Sequence, residues 1–323
     1  MNEFRERSGS LDLPASLRGL PWGRHELFLG IPAEDASFGR SPVVVLPVPY
    51  EATVSYMGGT RFGPRGLLHA SRFVELYDPA LDAEPWEHGI ATLPELVLPG
   101  TGPERALPTL RAAADALLAE GKFVVMVGGE HSISGEPILA HAAAARNGLA
   151  VLQLDAHADL RPEYEGTAFS HACVMHRVLD HVDLVPVGIR SLTREERMMM
   201  RDRKIPAVFG HELARSGWQD RVLDALGDPV YVTVDVDYFD PAIMPSTGTP
   251  EPGGGQWYPA LDLLERVFKE RRVVGCDVVE LAPLPGLVAP DVLAAELVYK
   301  LAAFWLTYQR PELDRGSSPR AAS

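Results

Sequence analysis

The sequence predicts an α/β protein with a single domain of three layers, in which helices cover both faces of a central, mostly parallel sheet. Three observations support this fold class. Short apolar runs of strand length alternate with helix-length segments along most of the chain. The runs are solidly apolar, as expected for strands that are buried on both faces. The 323 residues, 46% of them hydrophobic, contain no linker-like break and suffice for one large core.

The N-terminal part of the chain leads into the first strand. Residues 1–40 are mixed in composition and punctuated by proline and glycine, and they are predicted to form an extension that wraps the surface or contributes to a subunit contact. The domain extends over residues 41–308 and opens with the apolar strand at 41–49. A loop at 50–64 then leads into a helix at about 65–77. This loop lacks the common glycine patterns of phosphate-binding loops, so we expect an ordinary strand-to-helix connection near the mouth of a site.

Helices and strands alternate through the rest of the domain. Helices are predicted at about 108–120, 137–147, 193–202, 219–226, 258–269 and 291–308, and strands at 122–127, 151–154, 182–188, 207–209, 230–236 and 272–279. Residues 309–323 are polar and contain proline, glycine and serine, so they are predicted to be a disordered tail. In a parallel sheet of this kind, ligands gather beyond the carboxyl ends of the strands.

The segment VLQLDAHADL at 151–160 joins an apolar strand to three ionisable residues at alternate positions. If the backbone stays extended, Asp155, His157 and Asp159 share one face. A lone Asp-x-His pattern is more often a turn with a satisfied histidine than a binding site. Three uncompensated ionisable groups at the end of a buried strand would be costly, however, and a cation would remove that cost. The spacing therefore predicts metal ligands.

Two further strands end in residues of the same kind. VVMVGGEHS carries His131 just beyond the strand, and VYVTVDVDYFDP carries Asp235 and Asp237. Alone, His131 would be read as a residue that caps a helix. Together with the first segment, the set comprises two imidazoles and four carboxylates, which suits Mn²⁺ better than structural zinc. Six donors exceed the need of one ion, and bridging carboxylates could hold two ions roughly 3.5 Å apart with a hydroxide between them.

Composition restricts the partners of the protein. The formal net charge is 30 − 44 = −14, which disfavours nucleic acid and anionic membranes and favours a small cationic molecule or a divalent metal. The N-terminus has no apolar signal region, and no run of about 18 apolar residues could span a bilayer. Cys173 and Cys276 are expected to be buried free thiols, consistent with a reducing cytoplasm.

Four motifs occur in a characteristic order: GGEHS, DAHAD, VDVDYFDP with STGTPEPGG, and DVVELAP. From about Val43 to the final helix, the chain thereby resembles the ureohydrolase family, which includes the arginases and agmatinases. The resemblance implies the arginase-like form of the fold, a homo-oligomer such as a trimer or hexamer, and two Mn²⁺ ions per chain. It also implies how the ligands are divided: Asp155 and Asp235 bridge the ions, His131 and Asp159 complete one, and His157 and Asp237 complete the other.

The same resemblance implies which residues act on the substrate. His171 in FSHACV is similar to the family's proton-shuttling histidine, and Asp159 is counted with the catalytic residues as well as with the ligands. Glu280 in DVVELAP is similar to the carboxylate that receives the guanidinium group, with Thr249 near it. A guanidinium stays protonated, so bidentate pairing with a carboxylate would hold its carbon in line for attack. A histidine that titrates near neutrality could then protonate the leaving amine, and two nearby histidines are alternatives to His171.

The loop LRPEYEGTAFSHA, which follows DAHAD, bears on the choice of substrate. It lacks the Asn and Ser that arginases use for an α-carboxylate, and Glu163 and Glu165 would repel a carboxylate but accept a terminal ammonium, unless they are simply a solvated acidic loop. Ser191 stands where arginases carry an acidic residue. We therefore expect agmatine to be hydrolysed to urea and putrescine. Glu130 stands where arginases usually have Asp, which leaves its role beside a ligand open.

Other functions remain as alternatives. Another ureohydrolase could act on 4-guanidinobutyrate or arginine with the same mechanism. A deacetylase of related fold would hold a single zinc with two Asp and one His, and would leave His131 and Asp237 without a role. A non-catalytic paralogue would be expected to have lost ligands, and all six are present. A metallophosphoesterase could use Asp-x-His with two metals, but an acidic mouth would repel phosphate.

Overall fold

The computed structural model describes residues 13–32 and 34–310. Within them, eight strands form one sheet, and every neighbouring pair of strands is parallel. The strands are β1 (Val43–Val48), β2 (Ile90–Thr92), β3 (Phe123–Gly128), β4 (Ala150–Leu154), β5 (Asp183–Ile189), β6 (Val208–Phe209), β7 (Val230–Asp235) and β8 (Val273–Val279). The predicted mostly parallel α/β sheet is confirmed.

Nine α-helices accompany these strands in the described part of the chain. They are α1 (Ala15–Arg18), α2 (Gly63–Ser71), α3 (Pro103–Ala119), α4 (Gly135–Ala144), α5 (Val174–Val178), α6 (Arg194–Asp202), α7 (Trp218–Ala225), α8 (Trp257–Glu270) and α9 (Ala289–Tyr308). No helix that the structure describes is long and apolar enough to cross a membrane.

The strand order is β2-β1-β3-β8-β7-β4-β5-β6, which places β3, β8, β7 and β4 side by side at the centre. The carboxyl ends of these four strands are level, because Val234 pairs with both Leu154 and Val278, and Val278 pairs with Val127. Residues that directly follow these strands therefore meet at one edge of the sheet. This register brings together segments that are far apart in the sequence.

The core lies on both faces of the sheet. Along β1, Val43 and Val45 point into a cluster with residues of α2, α8 and α9, whereas Val44 and Leu46 point into a second cluster with residues of α3. This alternation buries the strand on both sides, as its continuous apolar sequence predicts. Helices thus cover both faces, and the three-layer arrangement is confirmed. Both cysteines are free and buried, as expected.

Some boundaries differ from the prediction. Helix α3 begins at Pro103, five residues before the predicted start, and contains Pro108 in its interior. Helix α2 ends at Ser71 and not near residue 77. The edge strand β2 was not predicted, because three residues are too short for a recognisable apolar run.

The predicted N-terminal extension packs against the core in the part that the structure describes. In the described part of the predicted N-terminal extension, Leu17, Phe28 and Phe38 are buried against the core clusters, and Trp22 bridges to Leu96. Most of the predicted disordered tail lies outside the described residues, which end at residue 310.

Candidate metal centre

The centre lies at the carboxyl edge of the four central strands. His131 begins a short 3-10 turn after β3, and Asp155 follows β4 directly. Asp235 is the last residue of β7, and Glu280 follows β8. The level ends of these strands bring their side chains together. The site therefore forms because neighbouring strands carry polar residues at carboxyl ends that are in register.

His131 is the centre of the first group of donors. Its Nδ1 lies 3.2 Å from Asp155 Oδ2, 3.1 Å from Asp159 Oδ2 and 3.4 Å from Asp235 Oδ2. Among the described residues, this buried nitrogen has no hydrogen-bond partner. A buried nitrogen that faces three carboxylate oxygens is arranged to bind a cation.

The opposite nitrogen of His131 is held by a chain of hydrogen bonds inside the sheet. Nε2 lies 2.9 Å from Thr233 Oγ1, and Thr233 donates its hydroxyl proton to Asp277 Oδ1 at 2.6 Å. Tyr231 donates to the other oxygen of Asp277 at 2.9 Å. Because the Thr233 proton is used, Thr233 accepts from His131 Nε2–H, and the lone pair of Nδ1 is left for a cation.

His157 is the centre of the second group. Its Nδ1 lies 2.9 Å from Asp237 Oδ2 and 3.8 Å from Asp155 Oδ1. The side chain of His157 is 24% exposed, whereas that of His131 is 1% exposed. Its Nε2 points towards Glu251, whose Oε1 lies 3.9 Å away. The second group therefore opens towards solvent.

Asp155 belongs to both groups. Its Oδ2 faces His131 and its Oδ1 faces His157. The donor atoms of His131, Asp155 and Asp235 lie within 4.8 Å of one another, and so do those of Asp155, His157 and Asp237. A carboxylate that offers one oxygen to each group is suited to bridging two ions. Asp235 Oδ2 faces His131, and its Oδ1 accepts a hydrogen bond from the Asp237 amide at 2.9 Å. Its bridging role stays a prediction.

Backbone geometry, and not a continued strand, aims these side chains. Strand β4 ends at Leu154, before the first ligand, so the extended backbone that would place Asp155, His157 and Asp159 on one face does not persist. The His157 amide donates to Asp155 Oδ1 at 2.6 Å, which forms a turn. Asp159 then adopts a φ of 54°, a left-handed conformation that is unfavourable for a residue other than glycine. Glu280 has a φ of 66° and is a second such position at the site.

The electrostatics of the cluster favour a bound cation. Burial, together with the charges of Asp159 and Asp237, raises the pKa of Asp155 to about 7. Burial also raises the pKa of Asp235 well above its usual range. Burial alone would lower the pKa of His157, but the neighbouring carboxylates, Asp237 foremost, outweigh it and raise the pKa to about 11. These carboxylates repel one another and attract positive charge, so a divalent ion would relieve the repulsion.

The donor set fits a hard divalent ion. It consists of carboxylate oxygens and imidazole nitrogens, and neither described cysteine belongs to either group. Oxygen-rich sets of this kind suit Mn²⁺, whereas structural zinc favours thiolates. The residues therefore fit the metal that the sequence predicts, and the choice between metals and the number of ions remain proposals.

A cleft of about 230 Å³ lies above the second group. Of the predicted site residues, His157, Asp159, His171 and Thr249 line it. Thr249 Oγ1 lies 3.5 Å from Asp237 Oδ2. The other residues that line the cleft come mainly from loops: Ser55, Ala158, Arg161, Tyr164, Ala172, Ser191, Leu192, Thr193 and Glu196.

His171 lines the cleft and contacts two other residues that line it. Its Nε2 lies 3.4 Å from Ser55 Oγ, and its ring makes an edge-on contact with Tyr164. The two nearby histidines that were alternatives, His176 and His181, do not line the cleft. His171 therefore lines the cleft, and its role in proton transfer stays a prediction.

Glu280 lies beside the first group and not on the wall of the cleft. Its Oε1 accepts a hydrogen bond from the His131 amide at 2.6 Å. Burial, followed by the charge of Glu130, raises the pKa of Glu280 to about 8. Its contact with a guanidinium group stays a prediction.

Glu163 and Glu165 are not brought into the cleft. Both residues are exposed, and the adjacent residue Tyr164 faces the cleft instead. Tyr164 pairs with Thr167 in a tight turn, which directs the flanking glutamates outwards. Arg161 stacks 4.5 Å from the Tyr164 ring and adds a positive charge to the wall. The cleft geometry gives no support to the predicted role of the two glutamates in substrate binding.

Several residues that shape the site were not identified from the sequence. Gln153, Thr233 and Asp277 are polar residues inside otherwise apolar strands. Gln153 donates to Asp155 Oδ2 at 2.8 Å, and the other two orient His131. A buried polar residue needs a partner, so their occurrence next to predicted ligands was a signal that could have revealed them.

Comparisons with known proteins show the family of this chain. A profile of the Arginase family matches residues 41–303. The N(1)-aminopropylagmatine ureohydrolase of Synechocystis sp. is 38% identical over 292 residues, which cover 86% of this chain and 93% of that protein. The agmatinase of Bacillus anthracis is 36% identical over 77% of this chain and 86% of its own length.

A solved structure with the same fold is the proclavaminate amidino hydrolase from Streptomyces clavuligerus. Its TM-score is 0.79 at 28% identity, and the match covers 88% of this chain and 98% of that one. The likeness to ureohydrolases, and to agmatinases among them, that was inferred from the four motifs is confirmed.

Proposed function

The chain belongs to the arginase family, and from that premise we propose that it hydrolyses the guanidino group of a linear, cationic guanidino amine of the agmatine type and releases urea. The observation that carries this proposal is the cluster of six donors at the ends of the central strands, directly below a cleft that contains His171. Agmatine, which would give urea and putrescine, is the substrate we expect first.

The metal site would hold two Mn²⁺ ions. His131, Asp159 and Asp235 would bind one ion, His157 and Asp237 would bind the other, and Asp155 would contribute an oxygen to each. Two such ions supply a water that is nucleophilic at neutral pH, because they lower its pKa.

Glu280 is the residue we assign to the guanidinium group. The hydrogen bond from the His131 amide fixes its carboxylate next to the first group of donors. Burial raises its pKa, and a guanidinium placed beside it would favour the ionised form. An ion pair in a buried site would orient the planar group and expose one face of its carbon to attack.

His171 is the residue we assign to proton transfer. A leaving amine must take up a proton before it departs, and an imidazole is suited to deliver it near neutral pH. The Nε2 atom of His171 is directed to the cleft side, where it contacts the exposed residue Ser55. Tyr164 packs edge-on against the imidazole and limits its rotation.

The experiment is urea release from a panel of guanidino compounds, with Mn²⁺ added and with a chelator. Agmatine, N(1)-aminopropylagmatine, arginine and 4-guanidinobutyrate are compared by kcat/KM. We expect kcat/KM for the two amines to exceed that for the two carboxylates by at least about tenfold, because the acidic cluster disfavours a carboxylate on the substrate.

The variant Glu280→Gln tests the role of the Glu280 charge. It keeps an acceptor for the His131 amide but removes the charge, and it is expected to abolish turnover. Urea release that is unchanged by chelator or by Glu280→Gln would contradict the proposal.

The two amines are separated by the same panel. The aminopropyl compound has a third cationic centre, which lies beyond the length of agmatine. A relative that is 38% identical is named for the longer substrate, and one that is 36% identical is named for the shorter. A kcat/KM for N(1)-aminopropylagmatine that exceeds the value for agmatine would assign the longer amine to this protein and leave the mechanism unchanged.

A second candidate is a guanidino acid, and Arg161 is the observation that favours it. Its guanidinium lines the cleft and could pair with a substrate carboxylate, and a relative of similar fold is named for proclavaminate. If this candidate is right, 4-guanidinobutyrate or arginine will be the best substrate, and Arg161→Ala will raise its KM. If agmatine is the substrate, Arg161→Ala will leave the KM unchanged or lower it, because one like charge is removed from the cleft.

A further inference from the structure

Glu130 is a fully buried carboxylate whose partners lie outside the metal cluster. Its Oε2 accepts hydrogen bonds from the backbone amides of Ala52 and Thr53, at 2.6 and 2.7 Å. Its Oε1 accepts from the hydroxyl groups of Thr53 and Ser132, at 2.7 and 2.5 Å. Four donors to one buried carboxylate fix the start of the loop after β1 against the start of the turn that carries His131.

Thr53 connects this carboxylate to His171. The Thr53 hydroxyl accepts a hydrogen bond from the His171 amide at 3.0 Å and lies 3.3 Å from His171 Nδ1. A hydroxyl group has one proton, and the proton of Thr53 is donated to Glu130. Towards Nδ1, Thr53 can therefore only accept, so a hydrogen bond between the two requires a proton on Nδ1. The lone pair of the neutral imidazole is then on Nε2, which is on the cleft side.

From this geometry, we propose that Glu130 is a positioning residue that acts through the Thr53 hydroxyl to keep Nδ1 of His171 protonated, so that Nε2 is the atom that exchanges protons with the substrate. The proposal rests on the proposed function for its consequences in catalysis. The hydrogen-bond chain itself is independent of the substrate. In the reaction, Nε2 would take a proton from the attacking water and pass it to the leaving nitrogen, while Nδ1–H stays bound to Thr53.

One other hydroxyl group competes for the same nitrogen. Ser170 Oγ lies 3.3 Å from His171 Nδ1, and it also accepts from the Ala172 amide at 3.4 Å. The proton of Ser170 is not assigned to another acceptor among the described residues, so Ser170 can donate to Nδ1, which would favour the opposite tautomer. Ser170→Ala is therefore the matched control, since it removes a hydroxyl at the same distance that is not connected to Glu130.

The first measurement is steady-state kinetics of Thr53 variants with Mn²⁺. Thr53→Val removes the hydroxyl group and keeps the shape of the side chain, and Thr53→Ser keeps the hydroxyl group. We expect Thr53→Val to lower kcat by about 10- to 100-fold with the KM and the metal content nearly unchanged, because general acid–base catalysis contributes about 10²- to 10⁴-fold. Thr53→Ser should restore most of the activity, and Ser170→Ala should have a much smaller effect. A Thr53→Val enzyme with the kcat of the wild type would overturn the proposal.

The second measurement is a double-mutant cycle with Glu130→Gln and His171→Asn. In Glu130→Gln, the amide oxygen must accept from the two backbone amides, so the NH₂ group faces Thr53 and donates to it. Thr53 can then donate to Nδ1, which reverses the tautomer. We expect Glu130→Gln to lower kcat in the wild-type background and to have no further effect in His171→Asn. If the kcat ratio is the same in both backgrounds, Glu130 acts only on the fold of the loop, and the proposal is wrong.

A third measurement does not depend on activity. In the metal-free, full-length protein with ¹⁵N-labelled histidine, long-range ¹H–¹⁵N spectra distinguish the two neutral tautomers, and His171→Asn identifies the signal of His171. The wild type and Ser170→Ala should show Nδ1–H, and Glu130→Gln should show Nε2–H. A wild-type signal with Nε2–H would overturn the proposal. If the protein releases urea from no compound in the panel, the proposed function fails, and these spectra still decide the hydrogen-bond chain.

Discussion

The two groups of metal donors differ in how they are held. In the first group, His131 is buried, and Thr233 and Asp277 inside the sheet hold its second nitrogen. The second group, around His157, lies on the floor of the cleft and is about a quarter exposed at the histidine. Asp237 is held there by the amide of Ala156, at 3.0 Å. Both groups have the same kinds of donors, but the histidine of the second group is the more exposed, and Asp159 is the residue of the first group that lines the cleft.

This difference indicates separate roles for the two groups. A buried histidine whose second nitrogen is fixed by a hydrogen bond is oriented for its ligand before a metal arrives, which favours tight binding. A partly exposed histidine beside a cleft is oriented less firmly for its metal, but its position leaves room for water and substrate. We therefore expect the ion near His131 to be the more tightly bound and the ion near His157 to exchange more readily.

Asp155 is the residue that the two groups share, so its replacement should weaken metal binding at both groups. Asp155→Asn keeps an acceptor for the His157 amide and takes away the negative charge. We expect kcat to fall by about 10³-fold or more and the metal content to fall for both ions, because each would lose a charged ligand. The matched variant Asp237→Asn touches only the second group and should lose one ion. Equal metal contents in the two variants, measured by elemental analysis, would show that Asp155 does not serve both groups.

Metal affinity should rise with pH at both groups. In the metal-free protein, the surrounding carboxylates raise the pKa of His131 and His157 against the effect of burial, to about 11 for His157. His157 is therefore protonated near pH 7, and the raised pKa of His131 acts in the same direction. A histidine must lose its proton before it binds a metal, so affinity is lower at low pH. Each proton released gives about a tenfold increase in affinity per pH unit. Titrations with Mn²⁺ between pH 6 and pH 8 would measure this slope, and an affinity independent of pH would contradict the raised pKa values.

The hydrogen bond that orients His131 can be removed without changing a metal ligand. Thr233→Val has nearly the same shape and deletes the hydroxyl group that accepts from Nε2, and Thr233→Ser is its control. Because residues that orient a metal ligand contribute about 10- to 100-fold to affinity, we expect a loss of that size for the ion in the first group only. The ion in the second group should keep its affinity. A loss of equal size for both ions would mean that the two groups are more strongly coupled than their separate supports indicate.

The difference between the two groups also explains what the sequence could predict. The ligands of the first group follow strands, and strands are recognisable as continuous apolar runs, so the convergence of His131, Asp155 and Asp235 followed from the parallel sheet. Their support was missed, because Thr233 and Asp277 were read only as part of apolar strands. Which strands are adjacent, and therefore which polar residues meet, depends on contacts between distant segments that a local pattern does not contain.

Predictions about the cleft were less accurate because loops form it. The direction of a side chain in a loop depends on individual backbone angles, such as the φ of 49° at Glu165 and of 54° at Asp159. The sequence identified the loop that follows the DAHAD motif but not which of its residues face inwards. Tyr164 lines the cleft, and the glutamates on either side of it are exposed. His171, which was assigned from a motif and not from the geometry of the loop, does line the cleft, and its role in proton transfer stays a prediction.

The smallest effect is expected at the exposed glutamates, Glu163 and Glu165. If they stay in solvent when the substrate binds, then Glu163→Gln and Glu165→Gln should each change the KM for agmatine by less than about threefold, because exposed charges are screened by salt. The kcat and the metal content should not change. Measurements at low and high ionic strength would separate screening from direct contact. An increase in KM of more than about tenfold that persists at high salt would mean that this loop closes over the substrate, and the second group would then be as enclosed as the first during the reaction.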